Sequence, residues 1–176
     1  MITAKGECSV RAKLLEDLYG DQIARLLDAE LQQQSVLPRL EQGAGAIELK
    51  KALQRHIVKT REHVRRLEAV AAALHPHPFA ESKAMVGILA EAADCIDSGM
   101  DTDLLDAALI GSLLAAESHE VACYTSVVSL ARLLGRTEES DLLMQSLHEE
   151  KAMDDTLYAL AEILTGETAD AEHQLH

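Results

Sequence analysis

The stretch LLAAESHEVACYTSVVSLARLL, starting at Leu113, has the apolar spacing of a buried helix and carries two carboxylates on the side that should be buried. At ~100° per residue, Leu113, Glu120, Tyr124, Val127 and Ala131 share one side of the cylinder, with Glu117 about one side chain away. A chain that folds this helix must either keep that face wet or bring partners to the acids.

The remainder of the sequence is also helical in pattern, with no credible strand. Three Pro and nine Gly punctuate 176 residues, which favours few, long helices. Aromatics are 2% against 48% hydrophobic residues, so the core must rest on Leu, Ile, Val and Ala. A short helix is expected over 9–19, broken at Gly20-Asp21, where Asp21 can cap the next one. A helix over about 21–42 turns Ile23, Leu26, Leu27, Leu37 and Leu40 inward, and Pro38 should kink or relax its last turn. After the link QGAGA, a helix over about 46–74 aligns Leu49, Leu53, Ile57, Val64, Leu67, Ala71 and Leu74, and HPHPF (75–79) ends it. A shorter helix follows over about 80–97. Long helices over about 103–134 and 137–165 then stop at Gly135 and Gly166. Short links make each long pair an antiparallel hairpin, and the long middle connection must cross the length of the bundle. The expected fold is all-α, a ferritin-like four-helix bundle with a crossover carrying an extra helix. Its parts are an N-terminal extension with a short helix (1–20), the bundle (21–165) and a mobile polar tail (166–176).

Each long helix carries polar groups mid-length on its inward face. Glu30 lies in the first stripe; Thr60, flanked by His56 and His63, in the second; Glu117 and Glu120 in the third; and Glu150 and Asp154, spaced i, i+4, in the fourth. Glu62, His148 and Glu149 fall outward or sideways. An unpartnered buried carboxylate costs several kcal/mol. Two imidazoles can contribute at most two protons to five acids, and the band holds no Lys or Arg. A pair of divalent ions would supply about +4 and takes carboxylate and imidazole ligands, which is the di-iron carboxylate pattern. Taken singly, the same residues have plainer readings. Glu30 could be half-exposed, Glu117 and Glu120 could line a wet groove, Glu150 and Asp154 could be surface charge beside Lys151, and the histidines could be satisfied core imidazoles. His119, on the flank of its helix, reads as structural or as a support behind the ligands. Coincidence of depth on four helices is what favours the metal.

The formal charge of −14 argues against nucleic acid and against an anionic membrane surface, and suits a soluble cytoplasmic protein or one that attracts cations. Cys8, Cys95 and Cys123 show no CxxC spacing and read as reduced, packed thiols. No apolar run reaches membrane-spanning length.

The segments LLDAELQQQSVLPRL, ELKKALQRHIVKTREHVRRLE, DAALIGSLLAAESHEVACY and LLMQSLHEEKAMDDTLYALAE resemble the YciE/YciF-type ferritin-like stress proteins of bacteria, over about residues 12 to 165. The resemblance implies the four-helix fold, a homodimer and a two-metal centre, with matching positions at Glu30, Glu117, Glu120, Glu150 and Asp154. Better-known ferritin-like enzymes carry Glu-x-x-His on the second helix, where this chain has Thr60 and His63. The expected function is a di-metal protein of stress defence, holding iron or manganese between Glu30, His56, His63, Glu117, Glu120, Glu150 and Asp154 and reacting with oxygen or peroxide. Glu120 and Glu150 are the expected bridges, with Tyr124 holding a ligand carboxylate. The alternative is a metal-free helical module whose Glu/His network serves dimer assembly or partner binding.

Overall fold

The structure, a computed structural model, describes the backbone of residues 4–74 and 80–173 and the side chains of 13–74 and 80–163. Those residues form five helices: α1 (Ala4–Gly43), α2 (Ile47–Ala72), α3 (Lys83–Asp97), α4 (Thr102–Leu133) and α5 (Thr137–His173). Among the described residues there is no strand, and no helix is long and apolar enough to cross a membrane.

Two expected boundaries are corrected. The helix over 9–19 and its break at Gly20 do not exist separately, because α1 runs unbroken from Ala4 through Gly20 and Pro38. A single helical glycine costs only ~1 kcal/mol against alanine. Tyr19 and Ile23, both fully buried, pin the chain on either side of it. Likewise α5 passes Gly166 and continues to His173, so the expected tail over 166–176 is helical for most of its length. The HPHPF segment lies outside the described residues.

The link between α1 and α2 makes them an antiparallel hairpin, and the turn after α4 does the same for α4 and α5. That turn is a Schellman cap: Gly135 takes φ +73°, Arg136 N donates to Ala131 O at 2.8 Å, and Gly135 N donates to Arg132 O at 3.1 Å. Asp106, 2% exposed near the start of α4, accepts hydrogen bonds from Gly45 N (2.7 Å) and Ala46 N (2.6 Å) in the α1–α2 link. This carboxylate fixes the topology. It places the first turns of α2 and α4 at one end of the bundle, so the two helices run parallel and the connection between them must travel its full length. That connection carries α3, which packs on α1 and α4. Its entry is tied to α1 where Ser82 N donates to Asp28 Oδ2 at 2.7 Å.

Among the described residues the core is three apolar clusters, a small one of Ala29, Met85, Leu89 and Ala116 where α3 packs on α1 and α4, and two larger ones at opposite ends of the bundle. At the end near the α1–α2 link, Leu37, Leu40, Leu49, Leu53, Leu109, Leu113 and Leu157 pack together. At the other end, Tyr19, Ile23, Leu26, Leu67, Val127 and Leu143 do so. The inward residues between them are polar, and the fold is the ferritin-like bundle with a crossover helix that the pattern predicts.

Because Asp106 satisfies two backbone donors at the point where three segments meet, Asp106→Ala is expected to cost about 2–4 kcal/mol. At roughly 2–4 °C per kcal/mol for a chain of this size, calorimetry should record a large fall in Tm.

A candidate metal centre between the two apolar clusters

The band is built from one or two turns of each long helix. α1 supplies Glu30 and Gln33, α2 supplies His56, Thr60 and His63, α4 supplies Glu117, Glu120 and Tyr124, and α5 supplies Glu150; none is more than 3% exposed. The spacings explain how. Glu117 and Glu120, three apart, lie on one face within one turn of α4. His56 and His63, seven apart, lie two turns and ~10 Å apart on the same face of α2, so each imidazole serves a different level of the bundle.

At the first level His56 Nε2 lies 3.0 Å from Glu117 Oε1 and 3.3 Å from Gln33 Oε1. Gln33 Nε2 donates to Glu120 Oε2. At the second level His63 Nδ1 lies 2.6 Å from Glu150 Oε1 and 3.2 Å from Glu30 Oε1, while its Nε2 lies 2.9 Å from Glu149 Oε2. Tyr124 donates to Glu30 Oε1 at 2.6 Å. Among the described residues, possible ligand atoms form two groups, each with all members within 4.8 Å of one another: His56, Glu117, Glu120 and Glu150, and Glu30, His63 and Glu150. Glu150 belongs to both, whereas Glu120 belongs only to the first.

Burial dominates the electrostatics. It raises the carboxyl pKa values of Glu30, Glu117, Glu120 and Glu150, and repulsion from nearby carboxylates pushes the same way, while contact with Glu150 partly offsets the rise at Glu117 and His63 partly offsets it at Glu30, Glu117 and Glu150. Glu117 is pushed up to about 8. Burial lowers His56. It opposes protonation of His63 too, but contacts with Glu150 and Glu30 outweigh it and hold His63 up at about 10. Partial burial resists ionisation of Glu149, yet Arg66, Lys59 and His63 together pull it down to about 2. Arg66 reaches Glu149 Oε2 at 2.6 Å and Lys59 reaches Oε1 at 2.7 Å.

Hydrogen bonding does not complete this cluster. Glu30 Oε2, both oxygens of Glu117, Glu120 Oε1, both oxygens of Glu150 and His63 Nδ1 are buried without an aligned hydrogen-bond partner. Such atoms ordinarily cost one to several kcal/mol each. Here they sit at contact distance around common points, the arrangement that carboxylate and imidazole ligands adopt about a cation. The donor set, oxygen-rich with one imidazole per group, suits divalent iron or manganese.

Of the seven residues expected from sequence, Glu30, His56, His63, Glu117, Glu120 and Glu150 converge. Asp154 does not join either group. It is half-buried one turn beyond Glu150, takes a hydrogen bond from Ser118, and is raised by burial and by Asp155. Thr60 is central but uses its hydroxyl hydrogen on its own helix, donating to His56 O at 3.1 Å. His119 stands outside the band, 3.6 Å from Cys123 Sγ. Two contributors, Gln33 and Glu149, lie outside the expected set. Gln33, one turn after Glu30, was legible as an inward polar residue. Glu149 points sideways from α5 and reaches His63 only because Arg66 and Lys59 on α2 hold it there.

Comparison with known proteins agrees with this picture. Residues 14–170 match the family model of a domain of unknown function, DUF892. The chain is 30% identical to Protein YciF of Escherichia coli (strain K12) over 151 residues, covering 85% of this chain and 91% of that protein. The crystal structure of the E. coli stress protein YciF superposes with a TM-score of 0.82 at 28% identity, covering 86% of this chain and 97% of that one. YcfI from Rhodopseudomonas palustris matches with a TM-score of 0.77 at 29% identity, covering 82% and 92%. With the family model spanning nearly the whole bundle, and a stress protein of the same fold among its relatives, the chain belongs to the DUF892 family.

Proposed function

We propose that this chain is a two-ion carboxylate protein of bacterial stress defence, holding iron or manganese between Glu30, His56, His63, Glu117, Glu120 and Glu150. The observation that carries the reading is the set of buried, unaligned carboxylate oxygens from three helices gathered around two points, each with an imidazole of α2. Bound there, such ions would supply Lewis-acid and one-electron chemistry toward oxygen or peroxide. The protein's own part is to hold ligands and exclude water. Glu149, kept ionised by Arg66 and Lys59, accepts from His63 Nε2 and leaves Nδ1 as the nitrogen facing Glu30 and Glu150. Gln33 orients Glu120, and Tyr124 orients Glu30. The two leucine-rich clusters keep bulk water from both ends.

One observation favours a second reading. His63 has carboxylates at both ring nitrogens, so as an imidazolium it would cross-link Glu149 with Glu150 and Glu30 without metal. The same network, assembled for dimerisation or partner binding, would then be stabilised by protons instead of by ions.

Melting curves separate the two. With Mn(II) at about a hundredfold excess over its Kd, binding to the folded state contributes ~2.7 kcal/mol, a rise in Tm of roughly 5–10 °C that EDTA reverses. Glu150→Gln should stay folded and lose that rise. An unchanged Tm in wild type with either additive would leave only the network.

The pH dependence gives a further check. Glu117 titrates near 4.5 unfolded and about 8 folded, so the folded state binds the extra proton and loses stability as pH rises between those values. The favourable charge on His63 is fully present below its unfolded pKa of 6.5 and is lost as pH rises toward about 10. EDTA-treated protein should therefore melt at lower temperature at pH 8 than at pH 5.5. Saturating Mn(II) should reverse the trend, since ions replace protons more readily at high pH.

A further inference from the structure

The two ligand groups are not equivalent. The first contains three carboxylates and one imidazole, the second two carboxylates and one imidazole, and Glu150 is counted in both. Affinity for a hard divalent cation rises with the number and charge of oxygen ligands. The neighbours sharpen the difference. Beside the first group the polar partner named by the geometry is the neutral amide of Gln33, bonded to Glu120 and near His56. Behind the second stand two fixed cations: Arg66 and Lys59 clamp Glu149, and Arg66 touches the same Glu149 oxygen that His63 Nε2 does. Positive charge one carboxylate away repels an incoming cation. The shared ligand adds a coupling. An ion held by the first group neutralises much of the charge on Glu150 and leaves the second group with Glu30 as its only undivided carboxylate.

The orphaned atoms follow the same division. Both oxygens of Glu117 and one of Glu120 are buried without an aligned partner. In the second group Glu30 keeps one such oxygen, because Tyr124 donates to the other. Apart from the two oxygens of the shared Glu150, three such oxygens therefore lie around His56, Glu117 and Glu120 against one at Glu30.

We infer that the two positions load in order, the His56–Glu117–Glu120–Glu150 position first and the Glu30–His63–Glu150 position second and more weakly. This inference rests on the two-ion reading above and adds a ranking that the reading does not require. A protein that fills one position readily and the other only at higher ion concentration responds in two stages to rising divalent metal.

The test is titration of metal-free protein with Mn(II), counting free ion by electron paramagnetic resonance and heat by calorimetry. Wild type should show two steps. Glu117→Gln, isosteric and free of the charge, should weaken the first step by roughly 10–100-fold or more, the scale on which even outer partners of metal ligands act. Glu30→Gln should abolish the second step and weaken the first far less than Glu117→Gln does. Circular dichroism of both metal-free variants reports whether each is folded. Arg66→Ala, on the surface side of Glu149, is a second handle: it should alter the second step and spare the first. Two equal sites in wild type, or loss of the tighter step in Glu30→Gln but not in Glu117→Gln, would overturn the ordering while leaving the two-ion reading intact. Absence of any Mn(II) uptake by wild type would overturn both.

Discussion

The structure depends on one electrostatic constraint: four carboxyl groups from three helices are buried together between two leucine-rich clusters. Each alone would be expelled or protonated. Together they raise one another's pKa, and the hydrogen bonds available inside the bundle reach only some of their oxygens. The apolar clusters on either side hold the helices close enough to enforce this. Stability and site are thus in opposition, and a bound cation or an internal proton is what reconciles them.

The distribution of the clustered acids and imidazoles departs from the pattern of one Glu-x-x-His motif on each of two helices. Here both imidazoles come from α2, two turns apart. α4 carries Glu117 and Glu120 instead of a Glu–His pair, and α5 carries Glu150 followed by the peripheral Asp154. The centre is therefore lopsided, acidic on the α4 side and flanked by fixed basic residues on the α2 side. That asymmetry is written into side-chain identity.

Much of this was legible in the sequence, because helical periodicity depends on local spacing. The apolar stripes, the four long helices and the crossover follow from positions such as Leu49, Leu53 and Leu67, and the depth of Glu30, Glu120 and Glu150 follows from the same stripes. The breaks at Gly20 and Gly166 were misread for a physical reason. Glycine ends a helix when it can adopt positive φ and the chain turns, as at Gly135, but inside a well-packed helix its cost is small. Asp154 shares the face of Glu150 by its i, i+4 spacing, yet one further turn carries it past the two buried groups. Glu149 could not be read from its wheel position, since its role is set by Arg66 and Lys59 on a different helix, a tertiary fact.

The most direct test of the central claim is anomalous diffraction at the manganese or iron edge from crystals grown with that ion. The account predicts anomalous density inside the bundle, adjoining Glu150 and the His56–Glu117–Glu120 side first. A clear map with the carboxyl groups ordered, closed on one another and on His63, and no anomalous peak among them would contradict it.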